Sequence, residues 1–284
     1  MSNRSVLRRA ATALGAVREV CWFGVDVALY PVGFLAGSAS ERMTERWLQR
    51  HRPLPIDMDC EVRGTPIVMV HGYFHNRSGF FVMRRALRRV GFAHLYDLNL
   101  SAIRRDVASM ADRLAERVDE VLAATGADRV HLIGHSLGGI VARYYVQLLG
   151  GADRVDTVVT LGTPHRGTYA AYAFPSRVAG QLRPGSRLLR RLNRSTRGSS
   201  VRWVAFSSNL DAFTIPASSG RLEVPGLDAE NVEIRDLGHM SLLVSPHLIH
   251  EVVVRLARRE PGNVRHIDTA RTRRRRAPAG EKPA

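Results

Sequence analysis

The sequence contains almost no lysine and very little cysteine. Lys282 is the only lysine among 284 residues, so arginine carries nearly all of the basic charge. The two cysteines, Cys21 and Cys60, do not have the spacing of metal ligands, and neither lies beside a candidate nucleophile. We interpret both as ordinary thiols, although one disulfide is arithmetically allowed. This scarcity excludes a metal site built from clustered cysteines and gives no indication of a redox compartment.

The net charge is strongly positive. The formal charge is +16, of which residues 270–284 carry +5 and the rest of the chain +11. The near absence of lysine, together with abundant alanine, resembles the codon bias of a GC-rich genome. The sequence also lacks a basic stripe with interleaved aromatic residues, so we expect no nucleic-acid partner. A positive surface still favours anionic membranes, which makes such a membrane a candidate partner.

Composition and length divide the chain into three parts. We predict an apolar segment and connector over residues 1–60, a single α/β domain over 61–260 and a basic disordered tail over 261–284. The tail combines a run of arginines with proline and glycine, which is typical of a solvated segment. The hydrophobic fraction of 45% suits a globular domain, and the sequence shows no internal repeat.

The apolar stretch over residues 20–37 allows three interpretations. It is a membrane-associated hairpin or interfacial helix, a signal peptide that ends near residues 38–40, or a helix packed on the domain. Its length approaches a membrane span, but Asp26 at a bilayer centre costs about 2.5 kcal/mol or more, and Pro31 interrupts a helix. We expect a membrane-associated protein, peripheral or anchored by its N-terminus, or a secreted one.

Strand and helix patterns alternate from residue 66 onward, which predicts a mostly parallel sheet with helices on both faces. The predicted strands cover residues 66–70, 94–100, 130–133, 155–161, 201–206 and 232–237. The predicted helices cover residues 77–90, 107–122, 137–149 and 248–256, and the second of them stops before Gly126.

The most informative motif is Gly134-His135-Ser136-Leu137-Gly138, which follows a short apolar strand. This G-x-S-x-G pattern presents a serine on a sharp turn between a strand and a helix. The backbone of such a serine is strained, and side chains at the two glycine positions would clash with it. The first N–H groups of the next helix point to the place where negative charge develops on the substrate. The motif therefore predicts Ser136 as a nucleophile.

A nucleophilic serine needs a base, and His239 is the best placed histidine downstream. It follows the last predicted strand and precedes the last helix, so its loop can reach back over the strand ends. His165 follows its strand too closely to be the final member of the set. His247 and His250 belong to a helix, and His266 is close to the tail.

The base needs an orienting carboxylate, and Asp211 is the best candidate. It follows the strand predicted over residues 201–206, at the carboxyl edge where ligands bind to such sheets. Asp228 and Asp236 are rivals, but Asp236 is only three residues from His239, which is too local for a hydrogen bond between loops.

Two backbone donors must stabilise the oxyanion. We predict the N–H groups of Leu137, directly after the nucleophile, and of Tyr73, in the loop after the first strand. Gly72 permits a close turn there. The aromatic residues Tyr73, Phe74, Phe80 and Phe81 suit an apolar wall for an acyl chain, although Phe80 and Phe81 fit the core equally well.

The chain resembles the lipase and esterase branch of the α/β-hydrolase fold, above all bacterial triacylglycerol lipases and related deacylases of lipid anchors. The matching motifs are residues 70–73, 134–139, 161–167, 211–216 and 238–239. The resemblance implies that Ser136 is the nucleophile, Asp211 the orienting residue and His239 the base. It also implies that Tyr73 and Leu137 form the oxyanion hole.

Residues 182–192, within an insertion over residues 168–200, resemble the segment that covers the active site in this family. Here the insertion is short, lid-like and basic, which argues against activation at oil–water interfaces. Lipases that bind structural calcium use acidic residues near the histidine, and Asp236 has no clear second ligand. We therefore predict no metal and no cofactor.

These patterns predict a serine carboxylic-ester hydrolase, a lipase or esterase, that cleaves lipid-like or small acyl esters through an acyl-enzyme. An acyltransferase or a lipid-anchor deacylase would use the same three residues. The non-enzymatic alternative is a membrane-tethered scaffold whose site has no catalytic activity.

Overall fold

The computed structural model describes residues 64–73, 75–100 and 106–257. The predictions for residues 1–60 and for the tail over 261–284 lie outside the described residues, as do Cys21, Cys60 and Phe74. Among the described residues, no helix has both the length and the apolar character needed to cross a membrane.

Six parallel strands form one sheet within the described ranges, in the order β2-β1-β3-β4-β5-β6. The strands are β1 (Ile67–Val70), β2 (Leu95–Leu98), β3 (Val130–His135), β4 (Val155–Leu161), β5 (Arg202–Ser208) and β6 (Ala229–Ile234). Since the strands are parallel, all of their carboxyl ends lie at one edge. The sheet confirms the predicted fold class.

Helices cover both faces of the sheet. They are α1 (Phe81–Arg89), α2 (Val107–Thr125), α3 (Leu137–Leu148), α4 (Arg177–Leu182), α5 (Arg187–Arg194) and α6 (Pro246–Leu256). Alternate residues of β1 point to opposite faces. Val68 and Val70 pack in the core layer of α2 and α3, whereas Ile67 and Met69 pack in the layer of α1 and α6.

Local signals set the ends of the helices. Asp106 caps α2 and forms a capping box with Ser109, and Gly126 ends the helix in a left-handed conformation with φ of 69°. The predicted stop before Gly126 is therefore confirmed. Ser245 caps α6, and Pro246 occupies the first position, where its missing N–H costs nothing.

Two predicted elements differ most from the structure, whereas the other predicted bounds move by at most three residues. The last strand lies over Ala229–Ile234 rather than residues 232–237, because Asp236 has a φ of 60° that a strand cannot accommodate. The helix predicted from residue 77 begins instead as a 3₁₀ helix, Arg77–Phe80, and continues as α1. Of the two aromatic residues assigned either to the wall or to the core, Phe80 is buried in the core and Phe81 is 60% exposed.

The insertion over residues 168–200 is folded onto the domain. It contains the 3₁₀ helix Tyr169–Ala173 and the helices α4 and α5, and its buried apolar side chains join the core layer of α2 and α3. Gln147 of α3 donates hydrogen bonds to the carbonyls of Leu192 (2.9 Å) and Ser195 (2.8 Å). The insertion is thus attached to the helix that follows Ser136.

Candidate active site

Ser136 lies on a sharp turn between β3 and α3. Its φ of 53° and ψ of −120° are rare for a residue with a side chain, and they indicate local strain. The neighbouring glycines are required sterically. A Cβ on Gly138 would lie 2.0 Å from the carbonyl oxygen of Val70, and one on Gly134 would lie 2.6 Å from the backbone of Gly139. Ser136 remains partly exposed although its neighbours in the motif are buried.

Asp211 and His239 form a buried pair. The Nδ1 atom of His239 lies 2.9 and 2.8 Å from the two carboxylate oxygens of Asp211, and both side chains are at most 6% exposed. Asp211 also accepts hydrogen bonds from the backbone N–H groups of Phe213 (2.9 Å) and Thr214 (2.8 Å). The structure therefore selects Asp211 over Asp228 and Asp236 as the partner of His239.

The charge of Asp211 is stabilised despite its burial. Burial alone raises the pKa of this carboxyl group, but the charge and hydrogen bond of His239 and the N–H groups of Thr214 and Phe213 outweigh it. The pKa of Asp211 therefore lies below its ordinary value.

Ser136 and His239 both lie against residues 161 and 162, at the carboxyl end of β4. The N–H of Ser136 donates to the carbonyl of Leu161 at 2.9 Å. A Cβ on the next residue, Gly162, would lie 2.8 Å from Oδ2 of Asp211 and 3.1 Å from Nδ1 of His239. The fold thus brings the three predicted residues together at the carboxyl edge of the sheet, although 103 positions separate the first from the last.

His135 links these parts, and sequence analysis gave it no role. Its ring lies 4.5 Å from the ring of His239, centre to centre, and its Nε2 lies 3.1 Å from the carbonyl oxygen of His239. A carbonyl can only accept, so Nε2 of His135 carries the proton. Burial holds the pKa of His135 well below its ordinary value, so the ring is neutral. The position of His135 inside the G-x-S-x-G motif was the available signal.

The loop of Gly72 and Tyr73 lies against the serine. A Cβ on Gly72 would lie 2.9 Å from Cβ of Ser136, so this glycine allows a close approach. The hydroxyl of Tyr73 donates to Oγ of Ser176, the N-cap of α4, at 2.8 Å. Leu137 is the first residue of α3, where backbone N–H groups have no acceptor within the helix. Both predicted oxyanion residues therefore flank Ser136.

His71 holds this loop in place. Its Nε2 accepts a hydrogen bond from the N–H of Leu100 (2.8 Å), so its Nδ1 donates to the carbonyl of Gly72 (2.9 Å). Burial lowers the pKa of His71 to about 4, which keeps the ring neutral and this pattern intact at neutral pH.

His165, which was rejected as the base, has a structural place. Its Nε2 lies 2.9 Å from Oγ1 of Thr160, and its ring is fully buried. Its carbonyl accepts a hydrogen bond from Arg143 of α3. Arg143 is also completely buried, and sequence analysis did not identify it.

Exposed apolar side chains form a rim beside His239. The members are Tyr169, Tyr172, Phe213 and Ile215, each between 41% and 60% exposed. The ring of Phe213 lies 5.1 Å from the ring of His239, centre to centre. The N–H of Tyr169 donates to the carbonyl of Ile215 at 2.9 Å, so the insertion and the loop after Asp211 share one surface. We call these four residues the apolar rim.

Within the described ranges, no three histidine, cysteine, aspartate or glutamate side chains are placed to hold a metal ion. The expectation that the protein needs no metal or cofactor stays a prediction.

The solved structures with the same architecture include one bacterial and one fungal lipase. The mature form of the Bacillus licheniformis lipase BlEst2 has a TM-score of 0.59 and 18% identity, over 73% of this chain and 95% of that one. Aspergillus fumigatus lipase B has a TM-score of 0.59 and 16% identity, over 75% and 56% of the two chains. At this identity the likeness shows a shared fold, the α/β-hydrolase fold.

Sequence comparison finds closer relatives. A triacylglycerol lipase of Burkholderia plantarii is 36% identical over 161 residues, which are 54% of this chain and 41% of that enzyme. A triacylglycerol lipase of Pseudarthrobacter phenanthrenivorans is 36% identical over 110 residues, which are 36% of this chain and 34% of that enzyme. The chain thus spans less than half the length of these curated relatives. The predicted resemblance to bacterial triacylglycerol lipases is confirmed.

The model of the palmitoyl protein thioesterase family matches residues 66–211, just over half of the chain. The matched region contains Ser136 and Asp211 and ends before His239. The chain therefore belongs to the palmitoyl protein thioesterase family.

Proposed function

We propose that the chain is a serine hydrolase that cleaves lipid-like acyl esters through an acyl-enzyme. The observation that carries the proposal is the buried Asp211–His239 pair beside a serine on a strained turn. Because Nδ1 of His239 keeps its proton and donates a hydrogen bond to Asp211, Nε2 is the nitrogen that can take a proton from Ser136.

In the first half of the reaction, Oγ of Ser136 bonds to the acyl carbon while Nε2 of His239 takes the hydroxyl proton. The carbonyl oxygen becomes an oxyanion, to which the N–H groups of Tyr73 and Leu137 donate. The carbon–oxygen bond to the alcohol then breaks, and the alcohol oxygen takes the proton from His239. In the second half, water loses a proton to His239 and bonds to the acyl carbon. The bond from that carbon to Oγ of Ser136 then breaks, Oγ takes the proton back from His239, and the acid is released.

The apolar rim supports a lipid-like substrate. Large apolar side chains that remain exposed next to a reactive group are typical of surfaces that receive apolar ligands or membranes. We therefore propose a long acyl chain as the apolar part of the substrate and an anionic membrane surface as its source, in line with the charge of +16. A membrane-associated or secreted location belongs to the same proposal.

The family match favours a second candidate function, the hydrolysis of acyl thioesters on lipid-modified proteins. The same three residues would serve, with a thiol in place of the alcohol as leaving group. Turnover of a palmitoyl ester against a palmitoylated cysteine peptide separates the two candidates, because the larger kcat/KM identifies the preferred bond.

A fluorophosphonate probe tests the shared mechanism. We expect covalent labelling of Ser136 in the full chain and complete loss of both labelling and p-nitrophenyl ester turnover in Ser136→Ala. The matched control is Ser200→Ala, which changes an exposed serine of the insertion. Full turnover in folded Ser136→Ala would remove this serine from the mechanism, and an unlabelled wild type would indicate a dead site.

A further inference from the structure

An open cleft of about 530 Å³ lies beside α5, at a distance from the candidate active site. Its lining residues are Leu148, Arg187, Arg190, Arg191, Arg194 and Ser195. Leu148 ends α3, whereas Ser136 directly precedes it. At 1.5 Å per residue the two ends of α3 are roughly 16 Å apart, so cleft and serine lie at opposite ends of one helix. We call this site the arginine cleft.

The four arginines occupy one face of α5. Their spacing of three, four and seven residues places them side by side on the helix surface, and all four are exposed. Leu189 and Leu192 form the opposite face and are buried in the core. Like charges at these spacings destabilise a helix. Packing and the hydrogen bonds to α3, rather than its own charges, must therefore hold α5 in place.

Within the part of the chain that the structure describes, no counter-charge neutralises this face. Among residues 64–73, 75–100 and 106–257, no carboxylate forms an ion pair with any of these four arginines; Arg190 donates to the carbonyl of Gly185. Nearby arginines do have acidic partners, as in the pairs Arg166–Glu223 and Arg202–Glu230. The sequence gives the reason, because residues 157–210 contain nine arginines and no aspartate or glutamate.

The cleft is also built rigidly. Asn193, between the cleft arginines in sequence, accepts a hydrogen bond from the buried Arg143 at 3.0 Å. Gln147 donates to the carbonyls on either side, those of Leu192 and Ser195. These contacts fix α5 against α3 before any ligand arrives, so binding would cost little ordering of the backbone.

We propose that the arginine cleft binds a phosphate-bearing ligand, either a soluble phosphate compound or the phosphate of a lipid headgroup. The guanidinium group presents paired N–H donors that match phosphate oxygens, and a concave site of this size suits a small ligand. Leu148 adds apolar contact, whereas the hydroxyl of Ser195 already donates to the carbonyl of Gln147 at 3.2 Å. A bound anion relieves the repulsion among the four arginines, so the ligand stabilises the folded protein. The proposal does not depend on catalysis by Ser136.

The test compares two double variants of the full chain with the same change of charge. Arg191→Gln/Arg194→Gln removes two arginines of the cleft, and Arg113→Gln/Arg154→Gln removes two exposed arginines that pair with Glu116 and Asp119 elsewhere. Pyrophosphate binding is measured by titration calorimetry at low ionic strength. Binding to phosphatidylcholine vesicles with and without phosphatidylglycerol is measured by co-sedimentation.

We expect the wild type and the control variant to bind equally, and the cleft variant to bind at least tenfold more weakly. If the cleft variant loses binding of pyrophosphate only, the ligand is a soluble phosphate compound. If it loses binding of phosphatidylglycerol vesicles only, the ligand is a lipid headgroup. Equal weakening in both variants, or no binding of either probe by the wild type, would overturn the proposal. The far-UV circular dichroism spectra of both variants should match the wild type, which shows that they fold and keeps this result independent of the proposed hydrolase.

Discussion

Two buried polar groups flank the turn after β4, and they hold charge in different ways. On one side of it, Asp211 and His239 pair a carboxylate with an imidazole at 2.8 Å, next to Gly162. On the other side, Arg143 donates to the carbonyl of His165, which belongs to the same turn. In the first group, the carboxylate of Asp211 accepts a hydrogen bond from Nδ1 of His239 and orients the imidazole ring. The second surrounds one fixed charge with neutral oxygens.

The surroundings of Arg143 show how a lone charge survives inside the protein. Its guanidinium group donates to Oε1 of Gln147 at 2.9 Å, to the carbonyl of His165 at 3.2 Å and to Oδ1 of Asn193 at 3.0 Å. These acceptors come from α3, from the turn after β4 and from the insertion. Arg143 therefore ties three parts of the molecule together, whereas Asp211 orients a single imidazole ring.

Burial lowers the pKa of both arginine and histidine but leaves the two side chains in different protonation states at pH 7. It lowers the pKa of Arg143 from 12.5 to about 9 and that of His71 from 6.5 to about 4. Because the ordinary values differ by about six units, the arginine keeps its proton at pH 7 and the histidine loses it. His71 and His135 are therefore neutral hydrogen-bonding groups, while Arg143 is a permanent charge.

The largest expected effect comes from replacing the charged partner of His239. In Asp211→Asn the side chain can still accept from the N–H groups of Phe213 and Thr214, so the fold should survive. The amide no longer stabilises a protonated imidazole and favours the wrong tautomer. We expect kcat for ester hydrolysis to fall by about 10⁴-fold, measured with p-nitrophenyl esters.

The control for this variant is Asp236→Asn. Asp236 has a φ of 60°, which asparagine tolerates, so the substitution should leave both the fold and the activity unchanged. Retained activity in Asp211→Asn with loss in Asp236→Asn would reassign the orienting carboxylate.

The next largest effect is expected on stability, at Arg143. The substitution Arg143→Met keeps much of the volume but leaves the acceptors on Gln147, His165 and Asn193 without their donor. Leaving a buried neutral acceptor without its donor costs about 1–3 kcal/mol for each group in the free energy of unfolding. Urea denaturation at pH 7 measures it. The insertion should also become more sensitive to proteolysis, since Arg143 helps to hold it.

Arg113→Met is the matched control, because Arg113 pairs with Glu116 on the surface and such pairs contribute about 0–1 kcal/mol. A loss below about 1 kcal/mol in Arg143→Met would mean that water or another arrangement satisfies the three acceptors. Arg143 would then not be required to hold α3, the turn after β4 and the insertion together.

The sequence predicted the Asp211–His239 side of this comparison far better than the side of Arg143. Ser136 was identified because its motif has a fixed spacing around a strained turn, and Asp211 and His239 because the order of strands restricts which loops reach it. Arg143 carries no such signal. An arginine in an amphipathic helix normally points to solvent, and its burial depends on the insertion packing over it, which is a tertiary contact.

The boundaries of the last strand failed for a related reason. The run of residues 232–237 has an apolar pattern, but the positive φ of Asp236 and its N–H bond to Oδ1 of Asn209 end the strand at Ile234. The role of His135 was missed because its partner, the carbonyl of His239, is 104 positions away. Contacts between loops are thus the part of the site that local patterns do not contain.

The smallest predicted effect tests whether burial really leaves a histidine neutral where it leaves Arg143 charged. His71 has a folded pKa of about 4 against 6.5 for the ordinary group. Below pH 6.5 the unfolded chain binds a proton at this position that the folded protein does not. Stability therefore falls as the pH drops from 6.5 towards 4, and it levels off once folded His71 is protonated too.

Between pH 7 and pH 5 the contribution of His71 to this loss is about 2 kcal/mol. His71→Gln should therefore show a shallower fall in the free energy of unfolding, measured by urea denaturation at pH 7, 6 and 5. His94→Gln, at an exposed histidine, and Arg143→Met should keep the slope of the wild type. If His71→Gln also keeps that slope, His71 is solvated or charged in the folded protein. Burial would then not explain why His71 is neutral while Arg143 is charged.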